Sequence, residues 1–176
     1  LTIAAMNLSQ AVSPLLIRLG RSRASRLHAT RRLVSNLDLE RQCGLLAAKY
    51  LDRALVRRDA ISERRIAIVE RRLGLLLPEA LRAYYRVAGR AAALNTAHNQ
   101  LLYPEDLGVE DNHLMFMDEN QSVVSWGFRL ADLAKADPVV WQRNNTAPVE
   151  WHSERKSFTR FMESMFRWYR SAGIWH

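Results

Sequence analysis

The sequence predicts an α+β fold, an antiparallel sheet of short strands flanked by helices, and three observations predict it. First, His113–Phe128 reads as a hairpin. Leu114, Phe116 and Asp118 alternate with Met115 and Met117, four polar residues follow (Glu119, Asn120, Gln121, Ser122), and Val124, Trp126 and Phe128 alternate with Val123, Ser125 and Gly127. Two β-rich runs joined by a short polar link pair antiparallel. Second, helical periodicity dominates before this hairpin, and one strongly amphipathic helix follows at the end. Third, helices and strands come in separate runs rather than alternating, which is the pattern of α+β rather than α/β.

The elements follow in order. Leu1–Asn36 is rich in Ser, Ala and Arg and free of acids. Its composition matches a transit peptide, a basic arm for nucleic acid, or an unstructured extension or mis-assigned start, and no aromatic residue sits among its arginines to stack on bases. Pro14 and Leu15–Leu19 suit one short helical turn. Leu39–Arg58 is predicted helical, with Leu39, Leu46, Tyr50 and Ala54 along one stripe. Ser62 is placed to cap a helix over Glu63–Leu73, which Gly74 ends in the left-handed conformation. Ile66, Val69, Glu70 and Leu73 share one side of it. Leu75-Leu76-Leu77 reads as a buried connector. Pro78 opens a further helix, where its missing N–H is harmless; Leu81, Tyr84, Tyr85 and Ala88 point inward and Gly89 stops it.

Leu101–Tyr103 reads as a strand, Pro104–Gly108 as a turn, and Gly127 as a bulge or a close backbone approach. Leu130–Lys135 is a helical turn that Asp137-Pro138 ends. Pro138–Trp141 and Val149–His152 are short strands. Ser157 caps the last helix, whose Phe158, Phe161, Met162, Met165, Phe166 and Tyr169 fall at i, i+3, i+4, i+7, i+8 and i+11, a core-facing stripe. Gly173 ends it. The division this suggests is a basic extension over 1–58, part arm and part helix, and a folded domain over 59–176.

Charge is unevenly placed. The chain holds 26 Lys and Arg against 18 acids, but Arg18, Arg21, Arg23, Arg26, Arg31 and Arg32 stand in the acid-free first 37 residues, so the rest is close to balance. Conversely, Ala91–Phe128 holds Glu105, Asp106, Glu110, Asp111, Asp118 and Glu119 and no Lys or Arg. Such a segment is either a solvated acidic loop or a docking surface for a basic partner.

Chemistry-bearing patterns are sparse. Cys43 is the one cysteine, which fits a reducing compartment, and His28, His98, His113, His152 and His176 lack the spacing of a metal site. No P-loop, GxGxxG or GxSxG is present. His152 and Glu154 would share a strand face as acid and base, but no nucleophile accompanies them. No apolar run of about 18 residues offers a membrane span. The expectation is therefore no enzyme, no cofactor, no metal and a cytoplasmic setting.

Several of these residues together resemble the SUKH superfamily. They are Ile66, Val69, Glu70, Leu73-Gly74, Leu77-Pro78, Leu81, Tyr84-Tyr85 and Gly89, then Phe116–Gln121 with Trp126-Gly127, then Asp137–Val140 and Trp151, and the closing helix from Ser157-Phe158. The resemblance spans about Ile61–Tyr169. Ala88-Gly89 departs from the family's frequent Asn-Gly, and Ser122 replaces a glycine. What the resemblance implies is a bacterial immunity protein that binds and neutralises a cognate toxin, often a nuclease; the alternative on the same fold is an adaptor or regulatory binding module. A nuclease is commonly basic because it binds polyphosphate. The expected partner-binding residues are therefore Glu105, Asp106, Glu110, Asp111, Glu119, Asn120, Gln121 and Trp126, with an interface around Trp126 or Trp141 as the other option. Nucleic acid as the partner, through the arginine arm, is disfavoured.

Overall fold

The computed structural model of this chain describes residues 23–175, with side chains from 36 onward. The Pro14 turn and most of the arginine arm lie outside the described residues. Helix α1 (Arg23–Leu51) begins within the arm. It is followed by α2 (Glu63–Leu73), α3 (Glu79–Ala88) and a one-turn α4 (Ala92–Asn95). The strands are β1 (Gln100–Leu101), β2 (Gly108–Glu110), β3 (His113–Asp118), β4 (Val124–Arg129), β5 (Val139–Asn144) and β6 (Glu150–Ser157), and α5 (Phe158–Ser171) closes the fold. The six strands form one antiparallel sheet, β3-β4-β5-β6, with β1 and β2 each paired to β3. The α+β architecture is thus the one the segregated pattern predicts.

The first helix is shorter at its C-terminal end than predicted. Asp52 takes a left-handed φ of 54°. A separate 3-10 turn, Arg57–Asp59, follows, where Asp59 accepts from the Val56 N–H at 2.9 Å and from the Arg53 guanidinium. Local bonds of this kind compete with helix continuation. The stripe that α1 buries is Cys43, Ala47 and Tyr50, flanked by Leu39 and Leu46. These residues share one core with α3, so a boundary at residue 58 cuts through the core rather than along its edge. Burial pushes the Cys43 thiol up to about 12.

Two predicted caps are corrected. Ser62 and Ser157 occupy N-cap positions with extended backbone, but neither side chain caps its helix. At α5 the work falls to Asp137, whose carboxylate accepts from the Thr159 N–H at 3.1 Å and from the Thr159 hydroxyl at 2.6 Å. A carboxylate at the positive end of a helix is favourable, and here it also ties α5 to the turn before β5. Gly74 and Gly173 both take φ 67°, as their stop positions require.

The core lies between the sheet and the layer of α1, α3 and α5. Phe116 stacks on Phe128 at 4.5 Å, and Phe158 meets both edge-on at 5.4 and 5.8 Å. Tyr84, Phe166 and Tyr169 extend the aromatic core toward α1. The two hairpin strands pair antiparallel as predicted, Leu114 stands opposite Phe128, and the ladder slips between Met115 and Met117. That bulge corrects the predicted facing. Phe116 and Met117 both enter the core, and Met117, opposite Trp126, joins the face it was expected to oppose. Met115 faces the other way, opposite Gly127. The close approach at Gly127 is real, since a Cβ there would stand 2.9 Å from the Leu114 carbonyl oxygen. The leucine connector is also corrected: Leu77 is buried, but Leu76 is 63% exposed.

Phe161, 3% exposed, packs on Phe116 and Trp126. Phe161→Ala is expected to cost about 3–5 kcal/mol in urea unfolding, as for other buried aromatics. Gly127→Ala, measured in the same way, is expected to cost about 1–3 kcal/mol, because the obstacle is backbone and cannot swing aside.

Candidate protein-binding surface

The acidic segment does not stand as a free acidic surface. Glu105 is held by a two-pronged pair with Arg65, Nε to Oε1 and Nη2 to Oε2, each 2.7 Å, and the guanidinium keeps its carboxyl below the usual range. Arg72 reaches the carbonyls of Glu105 and Leu107. Glu110 and Asp111 share Arg143, at 2.9 and 3.3 Å. Glu119 is spent on the hairpin turn, accepting from the Gln121 and Val123 N–H groups. Asp106 is exposed and Asp118 half-buried, and neither pairs with a base among the described residues. The basic residues absent from the segment are thus supplied by α2 and β5.

Trp126 is also corrected as an exposed anchor. It is 5% exposed, packs on Phe161, and donates its indole N–H to Glu154 at 2.9 Å. That bond commits Glu154. His152, the other half of the suggested acid–base pair, is exposed beside Glu150 at 3.4 Å. Asn120 and Gln121 are exposed at the hairpin tip, where Asn120 meets His98 at 3.3 Å, and His98 in turn meets the half-exposed Trp168 edge-on at 5.0 Å.

The more developed surface is the sheet face that carries no helix. Directly opposed residues of antiparallel neighbours point to the same side. Met115, Gly127, Trp141 and Ser153 therefore form one row across four strands, and Ser125, Arg143 and Trp151 the next. His113 and Arg129 face the same way. The His113 ring lies flat on Trp151, centroids 3.6 Å apart and planes within 8°, and sits 6.1 Å from the Trp141 ring. Arg129 covers Trp141 at 4.5 Å. Gly127 makes this layer possible, because a Cβ there would also press on Met115 Sδ at 3.1 Å and His113 Cβ at 3.3 Å.

The layer is polar as well as aromatic. His113 Nδ1 donates to the Asp111 carbonyl at 2.7 Å, since a carbonyl only accepts. Its Nε2 is therefore an acceptor in the neutral ring. That atom, with Trp141 Nε1 and Trp151 Nε1, is enclosed and has no hydrogen-bond partner. Burial, with the nearby Arg129 charge, holds the His113 imidazole below its ordinary value. Of the sequence-predicted residues, this face gathers Glu110 and Asp111 through Arg143, together with Trp141. It leaves Glu105 and Asp106 on the α2 side and Glu119, Asn120 and Gln121 at the tip. Trp151 and Arg129 were missed as surface residues. The alternation of Trp141 and Arg143 in one strand, facing Trp151 in the next, was the available signal.

Comparison with known proteins adds no relative. Models of known protein families, curated proteins and solved structures each give no match to this chain. Among the described residues no group of three His, Cys, Asp or Glu side chains is placed to hold a metal, and no helix is long and apolar enough to cross a membrane.

The depressed His113 value has a pH consequence. The unfolded chain takes up a proton at the ordinary 6.5, whereas the folded ring resists it until lower pH. The unfolded state binds more protons across that interval, so stability falls as the pH drops below about 6.5. Urea unfolding at pH 7.5 and 5.5 is expected to show this loss, and His113→Gln, which keeps a donor for the Asp111 carbonyl, is expected to flatten it.

Proposed function

We propose that this chain is a non-catalytic binding protein of the immunity type, which neutralises a cognate toxin by laying the helix-free face of its sheet over the toxin's working surface. The observation that carries the reading is the His113–Trp141–Trp151 layer. The half-buried rings of Trp141 and Trp151 lie side by side on neighbouring strands of this face, braced by His113, with Arg129 and Arg143 beside them. Trp and Arg dominate the energetics of protein interfaces, and they act from centres that a partner closes off from water. Glu110 and Asp111, half-exposed at the edge of this face, offer carboxylates for which a basic toxin competes with Arg143. The resemblance through the Phe116–Gln121 hairpin and Trp126-Gly127 supports the same class of function. It leaves the interface unplaced, and we assign the interface to the open face. The acidic charge then acts at the rim, on association rate more than on affinity.

Co-expression with a toxin encoded beside this chain is expected to restore growth, and the purified pair is expected to form a complex. Trp141→Ala with Trp151→Ala is expected to weaken that complex by about thirtyfold or more, the scale of two interface anchors. Arg129→Gln, which removes the charge over Trp141 and keeps a donor for the buried Asp132, tests the same face. Equal rescue by wild type and both variants would exclude the face. Failure of the wild type to rescue, with a housekeeping protein recovered by affinity purification, would replace the immunity reading by an adaptor on the same surface.

A further inference from the structure

A second surface, independent of the open sheet face, lies on α2. Arg64, Ile68 and Arg71 fall at i, i+4 and i+7 and make one solvent-facing stripe, opposite the buried Ile66, Val69 and Glu70. Ile68 is 45% exposed. Along the C-terminal half of the helix and just beyond it, Ala67, Glu70, Arg71, Gly74, Leu75 and Leu76 line a shallow, mostly apolar groove of about 420 Å³; the Glu70 carboxylate is buried and held by Arg82, and Leu76 stands over the groove 63% exposed.

The charge of this surface is one-sided. The acids of the segment 57–72 are all committed elsewhere: Asp59 to Arg53, Glu63 to Arg82 and Arg86, and Glu70 to Arg82. Arg57, Arg58, Arg64 and Arg71 pair with no carboxylate among the described residues. Arg71 stands in the last turn of α2, where a cation offsets the helix dipole. Arg64 stands in the first turn, where a cation opposes it. Arg65 beside it is compensated by Glu105; Arg64 is not. An exposed Leu and Ile flanked by uncompensated arginines is a surface with its complement missing.

We propose that this groove docks an acidic amphipathic segment of a partner protein, with one aliphatic side chain seated against Leu75, Leu76 and Ala67 and carboxylates on Arg64 and Arg71. Seven helical residues separate the two arginines by about 10 Å. Two acids about three residues apart on an extended strand span the same distance, as do two acids seven apart on a helix. Nucleic acid is a poorer fit. Among the described residues, the one ring that α2 engages through a cation, Tyr103, lies under Arg65 rather than beside Arg64 or Arg71, so no described aromatic platform accompanies the unpaired cations. A bilayer is a poorer fit too, because the apolar part is concave.

A peptide-display selection on the immobilised full chain tests this, followed by fluorescence anisotropy on the selected peptides. The selection is expected to enrich Leu, Ile or Met flanked by Asp or Glu at these spacings. Binding is expected to weaken at least tenfold in Arg64→Glu with Arg71→Glu, at least tenfold in Leu76→Gln, and with added salt. All three positions are exposed, so the melting temperature should hold. The Trp141→Ala, Trp151→Ala variant is expected to bind the same peptides as wild type, which separates this surface from the toxin interface. Selected peptides without acids, equal binding by the α2 variants, or tighter binding of a 20-mer oligothymidylate than of any selected peptide would overturn the proposal.

Discussion

Both faces of the sheet depend on the bulge at Phe116 and the glycine beside it. A regular β3 would point Leu114, Phe116 and Asp118 to one side and Met115 and Met117 to the other. The register slip between Met115 and Met117 turns Met117 inward alongside Phe116, so β3 feeds two consecutive large side chains into the core. That doubling closes the core against Phe158 and Phe161 of α5. It also leaves Met115 as the central residue of β3 on the open side. Gly127, across the ladder, is small enough for Met115 and His113 to lie over it. The core and the aromatic outer face are two consequences of one backbone irregularity.

Ion pairs decide which charges the molecule displays. Arg82 and Arg86 of α3 collect Glu63 and Glu70 of α2, and Arg86 also reaches Glu40 of α1. Glu70 is nearly buried and also accepts from the Leu77 N–H at 2.9 Å, so its charge is satisfied from two sides. Removing one partner of such a pair costs far more than the pair contributes to stability. The network locks the three helices together, and it pairs both of α2's own carboxylates. Arg65 and Arg143 pair Glu105, Glu110 and Asp111 in the same way. What remains outward is basic and apolar along α2, and aromatic with mixed charge on the sheet. The two surfaces therefore suit different partner chemistries.

The sequence by itself determined most of the elements and their order, α4 and β2 excepted. The α2, α3 and α5 stripes, the stops at Gly74, Gly89 and Gly173, and the pairing of the two hairpin strands all follow from periodicity and from residues with narrow backbone preferences, which act over a few residues. The tertiary structure alone decided how distant residues meet. In the acidic run at 105–119, Glu105 is paired by Arg65, 40 residues away by chain, and Glu110 and Asp111 by Arg143 from the far side of the hairpin. Asp137 rather than Ser157 holds the start of α5, because a cap needs only an acceptor in the right place, whatever its position in the chain. Trp126 is core and Trp141 surface because the β4–β5 register sets Trp141 opposite Gly127 and not opposite Trp126, and that register is not written in composition. Local propensity is a property of a stretch of sequence; a surface is a property of where stretches end up side by side.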